Sequence, residues 1–209
     1  MSKDTPAVDP EDAWHELPVN CHACLIYDSD AQRDAIVPGF MRAGLRQGEL
    51  VRYFADVTTP DVVLSWVSDG EPGPAEATDD GPLRIAEAER AYCPDGRFEP
   101  RRVVDRMLPG YELVKAAGFR GVRTIGEMSW ALRGLPGSDR LVEYEALINT
   151  IETTFPHIGM CQYDARLFDG ATLFQMLRVH PHVIAGGRVV RNPYYVRPEV
   201  LLAPDGSPS

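Results

Sequence analysis

Two rhythms of hydrophobic residues alternate along the chain. Short apolar runs bounded by turn residues read as buried strands, and stretches with apolar positions three and four apart read as helices. Residues 23–27 form the first run and end in Asp28, Ser29 and Asp30. Ser29 with Gln32 has the spacing of a helix-capping box. The helix that follows places Ile36, Val37, Phe40, Met41 and Leu45 on one side, Pro38 kinks it or fixes its true start, and Gly48 closes it. Residues 50–54 read as a second strand and 60–67 as a short helix with proline in its first turn. An acidic Pro/Gly stretch, 68–81, reads as a long surface loop. Residues 83–92 contain at least one strand. The spacing then predicts a helix over 100–117 closed by Gly118, a strand over 121–128, a helix over 139–153, a strand over 158–164 and a helix over 171–179. Two short strands, 182–185 and 188–190, flank Gly186 and Gly187 as a hairpin does.

Strands that alternate with helices imply an α/β fold of three layers, a mostly parallel sheet covered on both faces, and the last hairpin can add an antiparallel edge. Residues 19–198 read as one domain between an acidic tail, 1–18, and a second tail, 199–209, both expected to be disordered. The 209 residues, 44% apolar and 25% charged, suffice for one ordinary core. No apolar run approaches the roughly 18 residues of a membrane span, and the polar N-terminus does not resemble a secretory signal, so a cytoplasmic protein is expected. The net charge of −10 is concentrated: five acids precede residue 20 and five lie in 68–82, which leaves 21 acids against 20 bases elsewhere. No basic stripe appears, which argues against direct nucleic-acid binding. Nineteen arginines against two lysines point to a GC-rich bacterial genome.

In parallel sheets ligands bind at the carboxyl ends of strands, so candidate chemistry is sought there. His22 and Cys24 lie two apart on a strand and face one way, with Tyr27 just beyond. Arg123, Ile125 and Glu127 share one strand face; the two charges either pair or line a polar cavity that Trp130 could wall. Cys161 and Tyr163 share one face of another strand, and Gln162 and Asp164 the other. His180 follows the last long helix, where the helix dipole alone favours it. For each of these, ordinary packing or capping is the competing reading. Glu143 and Glu145 are expected to face solvent or to cap arginines.

Taken in order, these pieces resemble the MEDS domain, a sensory domain of methanogen and methylotroph regulators. The resemblance runs through residues 22–27, 44–49, 118–123, 126–130, Tyr144 with Glu145, 161–164, His180 with Pro181, and 192–195. It implies a RecA/KaiC-like fold and a sensor that binds a small molecule. It also implies work with a regulatory partner of anti-sigma, kinase or transcription-regulator type. Because the chain ends soon after the domain, signalling through a separate protein, or pairing as a homodimer, is expected. The ligand-binding residues expected from the strand-end positions, not from the resemblance, are His22, Cys24, Tyr27, Arg123, Glu127, Trp130, Tyr163, Asp164 and His180, with no cofactor.

A RecA-like fold raises the question of nucleotide hydrolysis. The turn after the first strand, residues 28–34, has neither the glycines nor the lysine of a phosphate-binding loop, so it reads as a degenerate P-loop. Its three carboxylates would face the phosphates, and like-charge pairs at about 4 Å cost roughly 1–4 kcal/mol each. A non-enzymatic protein is therefore expected. Two alternatives stay open. One is a metal- or redox-linked sensor that uses His22 and Cys24, joined by Cys161 and His180. A lone pair such as Cys21 and Cys24 is weak evidence, because the two point to opposite faces of a strand. The other is an enzyme with Cys24 or Glu127 as its reacting group.

Overall fold

A computed structural model of the chain describes Trp14, residues 17–18, 20–68 and 80–203. The acidic stretch 69–79 and most of the N-terminal acidic run lie outside the described residues. Among the described residues, seven strands form one sheet in the order β3-β2-β4-β5-β1-β6-β7. They are β1 (Cys21–Tyr27), β2 (Leu50–Ala55), β3 (Leu83–Glu87), β4 (Val122–Glu127), β5 (His157–Asp164), β6 (His182–Ala185) and β7 (Arg188–Arg191). All neighbours pair in parallel except β6 and β7, whose hairpin turns through Gly186 and Gly187 at positive φ. The mostly parallel α/β sheet with an antiparallel edge is the architecture the pattern predicts.

The central strands are apolar on both sides because helices cover both. On one face lie α1 (Asp30–Asp34), α2 (Val37–Arg46) and α3 (Pro60–Ser68). They bury Phe40, Met41 and Val63 against Ala23, Leu25, Tyr53 and Ile125. On the other lie α4 (Ala88–Tyr92), α5 (Pro100–Asp105), α6 (Met107–Ala116), α7 (Leu141–Ile148), α8 (Gly170–Val179) and α9 (Pro198–Leu201). A second core, with Cys24, Tyr92, Trp130, Tyr144, Cys161 and Tyr163, fills the space beneath them.

Local expectations are adjusted in four places. Pro38 sits in the first turn of α2, so it starts a second helix rather than kinking one. Ser29 takes the N-cap backbone geometry of α1 but makes no side-chain cap; Gln32 accepts from the Asp28 N–H instead. The helix expected over 100–117 breaks at Arg106, because Pro109 has no N–H for the Asp105 carbonyl. Two pieces of the expected tails are packed on the fold. Trp14 is buried and packs edge-on against Phe40 at 5.5 Å, and residues 198–201 form α9, with Leu201 and Leu202 against the second core. Isolated large apolar side chains find a docking surface that a charge-rich reading of a tail overlooks.

Candidate functional site

Helix α7 carries an unexpected residue on its inward stripe. Leu141, Tyr144, Glu145 and Ile148 are spaced as one helix face, and that face packs on the sheet. Glu145 is thereby fully buried, whereas Glu143 lies outside and pairs with Arg140 at 2.7 Å. The expectation that both glutamates face solvent or cap arginines holds for Glu143 and is corrected for Glu145.

Four side chains from three elements converge on the Glu145 carboxylate. Its Oε2 lies 3.1 Å from His22 Nε2 on β1, 3.4 Å from Cys161 Sγ on β5 and 3.5 Å from His180 Nε2 at the end of α8. Its Oε1 accepts the Tyr163 hydroxyl at 2.5 Å. Strand register makes this possible: β1 and β5 align His22 with Gly159 and Cys24 with Cys161. The His22 imidazole lies beside Gly159, its Cδ2 3.7 Å from where a Cβ would stand, an ordinary contact distance. The parallel entry of β6 beside β1 brings His180 alongside, with the two imidazole centroids 4.2 Å apart.

Hydrogen-bond accounting sets the tautomers. Asn149 donates through Nδ2 to the carbonyls of Glu145 and Val179, so its Oδ1 accepts from His22 Nδ1 at 3.0 Å. His180 Nδ1 donates to the Met176 carbonyl at 2.7 Å. Both Nε2 atoms therefore present lone pairs to a carboxylate oxygen, and among the described residues the only other proton facing them is the weak one of the Cys161 thiol. His180 Nε2 has no hydrogen-bond partner. Such a knot of buried lone pairs needs a shared proton or a cation. Burial works to raise the Glu145 carboxyl, but a proton held at Nε2 of His180 or His22 outweighs it and holds the carboxyl below the usual carboxylate range. Burial, then His180, pushes His22 down. Burial, reinforced by Glu145, pushes the Cys161 and Cys24 thiols well above their ordinary values.

A cavity of about 290 Å³ adjoins this cluster, between the sheet and α4 to α7. His22 and Cys161 belong to both. Its walls are largely apolar, with Phe54, Tyr92, Val103, Met107, Tyr111 and Tyr144, and it also meets Arg52, Arg106 and His157. Among the described residues, no carboxylate lines it. The cavity lies over the face of the sheet rather than at the carboxyl ends of the strands.

Of the residues singled out in sequence, His22, Tyr163 and His180 meet at Glu145, and Cys24 lies on the same strand face as His22, paired in register with Cys161. The others go elsewhere. Trp130 stacks on Tyr92 at 5.0 Å, behind the cavity wall. Arg123 and Glu127 neither pair with each other nor line the cavity. Arg123 Nε donates to Glu49 at 2.7 Å and Nη1 to the Phe40 carbonyl at 2.9 Å. Glu127 accepts from the Tyr53 hydroxyl at 2.6 Å and from the N–H groups of Asp56, Val57 and Thr58. Asp164 joins Asp30 on Arg166 at the strand ends, and Tyr27 is buried nearby. Cys21 faces the first core, away from the cluster. The sequence reading missed Glu145, Asn149 and the cavity residues Arg52 and Tyr111. The spacing of Glu145 from Leu141 and Ile148 was the available signal.

Residues 21–181 match the family described as the MEthanogen/methylotroph, DcmR Sensory domain, MEDS. The chain belongs to the MEDS family. It is also 27% identical over 171 residues to the transcriptional repressor DcmR of Methylorubrum extorquens, covering 80% of this chain and 59% of that protein. The chain thus spans about three-fifths of that relative's length. In fold, this MEDS chain is similar to the flagellar accessory protein FlaH of Methanocaldococcus jannaschii, with a TM-score of 0.58 at 13% identity, over 89% of this chain and 82% of that one. It is likewise similar to the uncharacterized protein PH0321 of Pyrococcus horikoshii, with a TM-score of 0.56 at 13% identity, over 83% and 82% of the two chains. The mostly parallel α/β fold expected from the resemblance is the one found. A sensory or regulatory role follows from the family.

Proposed function

We propose that this domain senses a small organic acid held in the cavity beside His22 and Cys161, and passes its occupancy to a regulatory partner. The observation that carries the reading is the cavity itself: about 290 Å³, apolar on most sides, with a few polar groups at defined points. Arg52 supplies the anion preference. It is half-buried, lies over the Phe54 ring at 5.1 Å, and shares the cavity with Arg106 and, among the described residues, with no carboxylate. An apolar body with one anionic group complements both features. Helices α5 and α6 form the lid, and their break at Arg106 gives a place where filling the cavity can move one helix against the other. Two features support a non-enzymatic regulator. The buried thiols of Cys24 and Cys161 are pushed away from the thiolate form that nucleophilic chemistry needs. The turn after β1 holds Asp30, which pairs with Arg166, where a phosphate-binding loop would require glycines and lysine.

Benzoate, benzyl alcohol and benzene serve as probes in calorimetry and thermal-shift titrations. Benzoate is expected to bind saturably and best. Arg52→Gln should weaken it roughly tenfold, or about 1.4 kcal/mol. Gly110→Leu should abolish binding by occupying the cavity, since nothing lies within 4 Å of a Cβ at Gly110. Saturable binding that Gly110→Leu leaves intact, or none by any probe, would remove this reading.

A further inference from the structure

We propose that His22, Glu145, Cys161 and His180 form a divalent transition-metal site, with zinc as the ion the donor set fits best. One ligand atom from each residue, His22 Nε2, His180 Nε2, Glu145 Oε2 and Cys161 Sγ, falls within 4.8 Å of all the others. Four of the six separations are 3.1, 3.4, 3.5 and 3.5 Å. A tetrahedron with metal–ligand bonds of about 2.0–2.3 Å has edges of roughly 3.3–3.7 Å, so the cage is already near the size such an ion requires.

Three further observations point the same way. The outer contacts are those of metal-ligating histidines: Asn149 Oδ1 and the Met176 carbonyl each hold an Nδ1–H and aim the Nε2 lone pair inward. The Tyr163 hydroxyl holds the other oxygen of Glu145, which leaves Oε2 to bind as a single donor. Second, His180 Nε2 is fully buried and without a partner, an atom a bound cation would satisfy. Third, charge closes. A carboxylate, a thiolate and two neutral imidazoles around a divalent ion sum to zero, which suits a site where all four residues are buried. Imidazole and thiolate donors together select zinc or its neighbours over calcium or magnesium. Binding releases the Cys161 thiol proton to solvent, so affinity rises with pH. With all four positions filled by protein, the ion is a structural or sensing centre at the end of the cavity, and it stands whether or not the cavity takes an organic acid.

The full chain, purified without a metal-affinity tag, is titrated with zinc and separately with cobalt. One zinc per chain is expected. Cobalt should give the intense visible bands of a tetrahedral ion and a thiolate charge-transfer band in the near ultraviolet. Cys161→Ser, checked for folding by circular dichroism, should lose that charge-transfer band, and His180→Gln should lower zinc affinity at least tenfold. Cys93→Ser, which lies outside the cluster, should change neither. If Cys161→Ser does not fold, the wild-type cobalt spectrum alone decides. No stoichiometric binding to the wild type, weak octahedral bands, or a charge-transfer band that survives Cys161→Ser would each overturn the proposal, leaving a shared proton at the centre of the cluster.

Discussion

Buried titratable residues give this molecule its pH response. His157 is buried, stacks on Tyr111 at 5.0 Å, and its Nδ1 has no partner. Burial, with a smaller push from His22, lowers its pKa to about 4. The unfolded chain takes up the proton first as pH falls, so stability from neutral His157 is complete above the ordinary histidine value near 6.5 and drains away toward pH 4. His22, also lowered by burial, acts in the same direction. Urea unfolding at pH 7 and pH 4.5 should show wild type losing stability on the order of 2–3 kcal/mol more than His157→Phe. Equal losses in the two proteins would show that His157 does not carry the slope. Arg123 illustrates the opposite solution to burial. It keeps its charge by pairing with Glu49, stacking on Phe40 at 4.6 Å and donating to a carbonyl.

At the scale of elements, Glu127 ties the end of β4 to the turn between β2 and α3. Its carboxylate draws three successive backbone N–H groups, from Asp56, Val57 and Thr58, toward one oxygen. Replacing that oxygen by an amide would leave those donors facing an NH₂ group or a weaker acceptor. Glu127→Gln should therefore cost about 2–3 kcal/mol of unfolding free energy, as for other buried hydrogen bonds to charged groups. Zinc stoichiometry and benzoate affinity should stay at wild-type levels, because Glu127 faces away from both sites. A loss of either at unchanged stability would return Glu127 to the binding machinery. Legibility also differed between elements. Strands β1, β4 and β5 were plain in the apolar runs, since burial on both faces removes polar residues from them. The single helix expected over 100–117 was not, because Pro109 interrupts a periodicity that otherwise continues through it.

In the whole molecule, the first core extends beyond the regular elements through Trp14, which closes over α2. Trp14→Ala should lower unfolding free energy by about 3 kcal/mol and speed amide exchange in α2, while exchange in α7 and α8 stays unchanged. A neutral substitution would mean that the indole contributes no net burial. By itself, the sequence determined the alternation of strands and helices, the parallel sheet, the hairpin edge, the sensory family, and the lack of a phosphate-binding loop. Each is written in local spacing or local composition, which one stretch of chain expresses without reference to another. Only the tertiary structure decided which polar residues meet. His22 and Cys161 lie in strands adjacent in the sheet but 139 positions apart. Glu145 reaches them only because α7 packs its inward stripe over β1 and β5, and Asn149 reaches His22 because the helix carries it one turn further. Nothing in the local pattern distinguishes a glutamate that turns toward solvent from one that turns under the sheet's cover, since helix packing, not spacing alone, chooses the face. The same choice moved the cavity from the carboxyl rim of the strands, where the topology directs attention, to the broad face between sheet and helices.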